Sequence, residues 1–270
     1  MTIPSRHWAD LAWTDFPRLP PETVAILPVG AIEQHGPHLP LRVDATLNAG
    51  IVERALALVP AAVPLLVLPT QGIGLSVEHA RFPGTLTLQP ATILALWNDI
   101  GDSVARAGLR KLLILNSHGG QPQIVDLVCQ QLRGRHRMLA VGVSWWRLAG
   151  VAQVEDALPA TERRHGIHGG AVETAMMMHL APDLVRHAAF ADFASTWIAR
   201  EAGQQQLGPF GPAAFAWETQ DLNASGAVGD PRLATPELGA RLVEAASRAL
   251  AALIEEIHRF DAQVYLRDSP

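Results

Sequence analysis

An α/β fold with a mostly parallel central sheet covered by helices is predicted by three observations. Apolar β-type runs at 24–29, 63–68, 111–116 and 138–143 alternate with helix-like runs at 45–58, 90–107 and 121–133, the order expected of strand–helix–strand units. At 270 residues and 49% hydrophobic, the chain can bury a full core without a second domain. No internal repeat competes with this organisation.

The first strand reads as Val24-Ala25-Ile26-Leu27-Pro28-Val29, a short apolar run bounded by Pro and Gly. Gly30 and Gly36 break it, and the chain continues through Glu33-Gln34-His35-Gly36-Pro37-His38. In an extended segment, residues two apart point to the same side, so Glu33 and His35 can converge on one cation. Asp44 stands directly before the helical pattern that begins at Ala45. Asp is a favoured helix N-cap, so a cap and a ligand are both open to it.

The run Lys111–Asn116 is the clearest buried strand, and Ser117-His118-Gly119-Gly120-Gln121 follows it. His118 therefore falls at the carboxyl end of a strand, where the loops of open α/β sheets bind ligands. Trp145 and Trp146 come after the strand at 138–143; they either line a pocket at that edge or pack in the core or a subunit interface. His165-Gly166-Ile167-His168-Gly169-Gly170-Ala171-Val172-Glu173-Thr174 introduces an apolar helix at 175–180. His168 precedes that helix and Glu173 lies in its first turn. Arg163 and Arg164 either meet an anionic group or belong to a solvated loop.

The segment 199–232 is rich in Gly, Pro, Gln and Asn. It reads as a long loop that covers the site or crosses to a neighbouring subunit. Residues 236–258 carry an Ala-rich amphipathic pattern, the final helix.

The net charge of −5 comes without a Lys/Arg run, which argues against a nucleic-acid partner. Cys129 is the single cysteine; it allows no intramolecular disulfide and reads as a buried, inert thiol. Residues 1–10 lack the apolar core of a signal peptide, and the apolar segment 56–68 is short and interrupted by Pro60 and Pro64. A cytoplasmic protein with no membrane span is expected. Gly72-Ile73-Gly74-Leu75-Ser76-Val77 lacks the third glycine of a dinucleotide turn, so a nucleotide-binding oxidoreductase is discounted.

The three histidine-bearing clusters occur in order with Glu78-His79-Ala80-Arg81-Phe82-Pro83-Gly84-Thr85 and with Gly226–Pro231 through Ala234-Thr235. Together they resemble the creatininase family of metal-dependent amidohydrolases, from about residue 10 to 260. The resemblance implies one three-layer α/β/α domain over residues 1–270. It also implies two divalent ions per subunit, held by Glu33, His35, a bridging Asp44 and His118, with Glu173 as the additional carboxylate. Three carboxylates and two neutral imidazoles leave about one positive charge on a pair of divalent ions, which a bridging hydroxide neutralises. Metal-bound water reaches a pKa of roughly 7, so that hydroxide could attack an amide carbonyl near neutral pH.

His168 is the candidate for protonating the leaving nitrogen; a loop-capping histidine is the other reading. The mixed N/O donors suit zinc, manganese or iron. A homo-oligomer, a hexamer by the family's habit, and a small-molecule amide substrate are likewise implied.

The expected reaction is hydrolysis of a non-peptide C–N amide bond, in a cyclic amide or a formamide. The alternatives are a peptidase that trims a ribosomal cofactor-precursor peptide and a non-catalytic metal-binding member. The chain also departs from creatininase itself. Creatininase carries a carboxylate two residues after the later histidine, where this chain has Gly120, so Glu173 is expected to complete the shell. The aromatic residue that creatininase places shortly before the counterpart of His168 is missing from 160–164, which moves creatinine down the list of substrates. Glu78 and His79 orient ligands, tie down the 82–85 loop, or ligate directly. His38 matches the motif but equally fits a surface position.

Overall fold

The computed structural model describes residues 3–266. Its central sheet is parallel, in the order β2-β1-β3-β4, from strands β1 (Val24–Val29), β2 (Leu65–Val67), β3 (Lys111–Asn116) and β4 (Leu139–Ser144). All six positions of β1 and of β3 are buried, which is why both read as continuous apolar runs rather than alternating ones. Pro28 is tolerated in an interior strand because of where β2 stops. The β2 side of β1 is met by Val24 N–H on Pro64, Leu68 N–H on Ile26 and Gln71 N–H on Pro28. Pro28 thus only accepts there, beyond the paired residues of β2, and its missing N–H breaks no rung.

Alternate strand residues feed two cores. Val24, Ile26, Leu113 and Leu115 pack with α1 (Val43–Leu58), α4 (Val151–Glu155), α6 (Ala171–Leu180) and α8 (Pro236–Arg259). Ala25, Leu27, Leu112 and Ile114 pack with α2 (Pro90–Arg106) and α3 (Pro122–His136), around fully buried Trp97. Helices thus cover both faces, and each fully buried Leu or Ile contributes roughly 1.5–3 kcal/mol. The helix α8 starts on a Thr235 cap that accepts from Leu238 N–H at 3.1 Å, with Pro236 in its first turn. Among the described residues no helix is long and apolar enough to cross a membrane.

The differences from the sequence reading have local causes. The second strand is the three residues 65–67 rather than 63–68, Pro64 standing just before it. Helix α1 begins at Val43 and α6 at Ala171, earlier than their apolar stripes. Residues 160–165 form the helix α5 rather than a loop, and its exposed arginines are neutralised, Arg163 by Asp156 at 2.5 Å and Arg164 by Glu201 at 2.9 Å. Trp145 is buried in the first core and meets Trp146 edge-on at 5.9 Å, so the pair serves packing. The stretch 199–232 is not wholly irregular: it holds the paired β5 (Leu207–Gly208) and β6 (Ala213–Ala214), and the turn of helix α7 (Thr219–Leu222). Cys129 is partly buried, and burial pushes its thiol up to about 12, the inert state expected.

The register aligns Val29 with Asn116, and Asn116 with Ser144. The strand ends carrying residues 30–35 and 117–118 therefore open on one edge of the sheet.

Candidate metal centre

That edge is braced by buried amides. Asn48 of α1 donates to the carbonyls of Val29 and Leu115, both at 3.0 Å, locking two strand ends together. Asn116 donates to the His118 carbonyl at 2.7 Å and accepts its N–H at 3.1 Å, fixing the turn on which His118 stands.

Five residues singled out as ligands meet above this edge. His35 Nε2 lies 3.6 Å from Asp44 Oδ1, 3.8 Å from Glu173 Oε1 and 3.9 Å from Glu33 Oε1. His118 Nδ1 lies 3.1 Å from Glu33 Oε2 and 3.5 Å from Asp44 Oδ2. Two ligands of one ion, each at about 2.1 Å, stand no more than about 4.2 Å apart, and each of these separations falls within that span. Asp44 is not a cap: the N-cap of α1 is Arg42, and Asp44 sits in the first turn with its carboxylate turned into the cluster. Glu173 occupies the first turn of α6 and also accepts the Gly169 N–H at 2.6 Å.

Three histidines share one device. His35 donates Nδ1–H to the Glu33 carbonyl at 3.1 Å, His118 donates Nε2–H to the Leu75 carbonyl at 2.8 Å, and His168 donates Nε2–H to the Gln34 carbonyl at 2.6 Å. A carbonyl only accepts, so the nitrogen facing it carries a proton in each ring, and the other nitrogen is turned to the carboxylates, where a cation can take the place of its proton. His168 turns Nδ1 toward Glu33 Oε1 at 3.8 Å. Its ring lies 4.1 Å from those of both His35 and His79, inclined by 31° to the first and 27° to the second.

His79 approaches the cluster more closely than the supporting role weighed for it. Its Nε2 is 3.4 Å from Glu33 Oε1, while Nδ1 lies 2.8 Å from both Gln34 Nε2 and Thr219 Oγ1. Glu78 stays on the far side of His118, 3.4 Å from Nε2. His38 is fully buried rather than at the surface, donating to the Gly169 carbonyl at 2.9 Å.

Two contributors escaped sequence reasoning. Ser76 hydrogen-bonds Glu33 Oε2, and Gln34 donates to the Gly226 carbonyl at 2.7 Å while accepting from Gly36 N–H at 2.8 Å. The signal for Gln34 is its position between two candidate ligands; Ser76 gives none, since only the fold brings 72–77 to this edge.

The charge balance is that of a cation site. Burial raises the Asp44 carboxyl, and Glu33 beside it raises it further, to about 7. Burial would raise Glu33 as well, but His118, His79 and His168 hold it well below the usual carboxylate range. Burial disfavours the charged form of His118, yet Glu33, Asp44 and Glu78 push it up to about 10; Glu173 and Asp44 likewise carry His35 well above its ordinary value. Burial and the neighbouring His35 instead push His168 down to about 4, so it is neutral near pH 7. His35 Nε2 and Asp44 Oδ2 are buried and have no hydrogen-bond partner. Orphaned buried polar atoms of this kind are costly, and a divalent cation satisfies them. The residues fit a metal centre.

The creatininase family model, described as creatinine amidohydrolase, matches residues 9–254. Creatinine amidohydrolase of Pseudomonas putida is 33% identical over 177 residues, 61% of this chain and 66% of that protein. The mycofactocin precursor peptide peptidase of Mycobacterium tuberculosis is 28% identical over 226 residues, 82% of this chain and 80% of the relative. A solved structure described as creatininase with Mn superposes with a TM-score of 0.76 at 26% identity, over 95% of this chain and all of the other. With the motif order, the sheet and the whole-length structural match agreeing, the chain belongs to the creatininase family of hydrolytic enzymes.

Proposed function

We propose that the protein is a dinuclear metal-dependent hydrolase of a non-peptide C–N amide bond, in a cyclic amide or a formamide. The observation that carries this reading is the pair of orphaned buried atoms, His35 Nε2 and Asp44 Oδ2, inside a convergent set of N and O donors. Glu33, His35, Asp44, His118 and Glu173 would hold the ions, Asp44 serving both. Zinc, manganese and iron all suit such donors. When bound, the ions supply an activated water and a Lewis acid for the amide carbonyl.

The chain's own residues do the rest. His35, His118 and His168 are aimed by backbone carbonyls, so the site is organised before substrate arrives. His168, neutral near pH 7 with Nδ1 free of any carbonyl, takes a proton released from the attacking water and delivers it to the departing nitrogen. A small-molecule amide as substrate, a homo-oligomeric (hexameric) assembly and a cytoplasmic setting belong to the same reading.

The test is metal quantification in anaerobically purified protein beside Asp44→Ala, joined to a hydrolysis screen of lactams, creatinine and formamides. About two ions per chain, falling sharply in the variant, with turnover of a small amide, is the expected result. No metal in the wild type would overturn it. A second reading, a peptidase acting on a precursor peptide, is favoured by the longer match to the mycobacterial peptidase. Cleavage of peptides, with small amides untouched, would select it.

A further inference from the structure

Glu78 is a buried-edge carboxylate whose place depends on a missing side chain. A Cβ built at Gly120 would lie 2.2 Å from Glu78 Oε1, 2.9 Å from its Cδ and 2.5 Å from His118 Nε2. Gly120 does not have positive φ, so the requirement there is space and not backbone conformation. The space is taken by the His118 ring and by the Glu78 carboxylate, whose side chain is 14% exposed and stands 3.4 Å from His118 Nε2.

We infer that Glu78 is a positioning residue for His118: its carboxylate, seated in the room that Gly120 leaves, sets the orientation and basicity of the imidazole whose other nitrogen faces Glu33 and Asp44. The Leu75 carbonyl accepts the Nε2–H at 2.8 Å, and Glu78 supplies the negative charge that a neutral carbonyl cannot. A carboxylate on the remote nitrogen of a ligating histidine fixes the ring and strengthens it as a donor, and losing such a partner costs roughly 10–100-fold in metal affinity. Residues 78 and 120 then form one unit, in which a side chain at 120 and the carboxylate at 78 exclude each other.

The inference rests on the metal-centre reading only for its consequence, and the experiment separates the two. Mn²⁺ is titrated into metal-stripped wild type, Glu78→Gln and Glu78→Ala. Free Mn²⁺ is followed by electron paramagnetic resonance, and the ¹⁵N shifts of the His118 ring are recorded in the metal-free proteins. Circular dichroism checks that each variant is folded. The expected result is weaker Mn²⁺ binding, by roughly 10–100-fold, in both Glu78 variants.

The His118 ring shifts should move in Glu78→Gln with or without metal. Unchanged ring shifts in that variant, or Mn²⁺ binding in Glu78→Gln within about twofold of wild type, would overturn the inference. A wild type that takes up no Mn²⁺ while its His118 shifts still answer to Glu78 would overturn the metal-centre reading alone.

Discussion

His35 Nε2 faces Asp44 Oδ1 across 3.6 Å, and both side chains are almost wholly shut off from solvent. Without a cation between them, burial and Glu33 raise the Asp44 carboxyl to about 7, so its charge is costly where it stands. The proposed role as a ligand shared by two ions would account for keeping it there. Asp44→Ala should abolish hydrolysis and strip both ions, and Asp44→Asn, which keeps the shape and removes the charge, should bind far less metal than wild type. Elemental analysis of each purified variant checks this; full activity in Asp44→Ala removes the shared-ligand assignment.

His168 separates two roles by the property it changes. A proton carrier can be removed without emptying the site, so His168→Ala should retain its metal while turnover drops by roughly 10²–10⁴-fold. Its ring packs 4.1 Å from those of both His35 and His79, which restricts its rotation. Metal content and turnover measured on the same preparation decide the matter. Loss of an ion would make His168 a ligand, with Glu33 and His79 as its partners.

Much of this was legible in the residue order. The run Lys111–Asn116 is apolar at every interior position, and only a strand covered on both faces needs that, so the parallel sheet and His118 at its edge follow from pattern alone. Glu33 and His35 were likewise readable, because the two-residue period of an extended chain turns both to one side. Asp44 was ambiguous for a physical reason: α1 begins at Val43, a residue of modest helix propensity, because its buried side chain packs in the core. Moving the start by two residues turns a cap position into a first-turn position whose carboxylate faces His35. Ser76 was not readable and the role of His79 stayed open, since their approach to Glu33 depends on how the chain between 68 and 89 crosses the sheet edge.

His38 gives the metal-free protein an acid-sensitive joint. Burial pushes its imidazole down to about 4 although it donates to the Gly169 carbonyl. A histidine whose folded value lies below the unfolded value of about 6.5 keeps its stability contribution at neutral pH and loses it as pH falls from about 6.5 toward 4. His38→Gln keeps a donor for Gly169 and cannot titrate. Urea unfolding at pH 6.5 and 4.5 should therefore show wild type losing more stability than His38→Gln, by on the order of 1–2 kcal/mol. Equal losses would mean that His38 is not the titrating group.

Glu162 ties together the two segments that deliver His168 and Glu173. Its carboxylate, in a residue only 6% exposed, accepts the N–H of Ala171 at 2.7 Å through Oε1 and that of Asp230 at 2.9 Å through Oε2. The first N–H belongs to the start of α6; the second follows the strand-like bridge between His168 and Val228. Gly166, Gly170 and Gly229 crowd around the same carboxylate, and a Cβ on any of them would come within 2.9 Å of it. Glu162→Ala leaves two N–H groups without their partner and should cost about 2–4 kcal/mol. Glu162→Gln turns one acceptor into a donor facing a donor, and should cost about half as much. Because the loop and α6 would loosen together, metal affinity should fall in the same order, alanine below glutamine below wild type. Urea denaturation and Mn²⁺ titration of the three proteins check both rankings, and a Glu162→Ala protein within about 0.5 kcal/mol of wild type would show that neither hydrogen bond holds the segments in place.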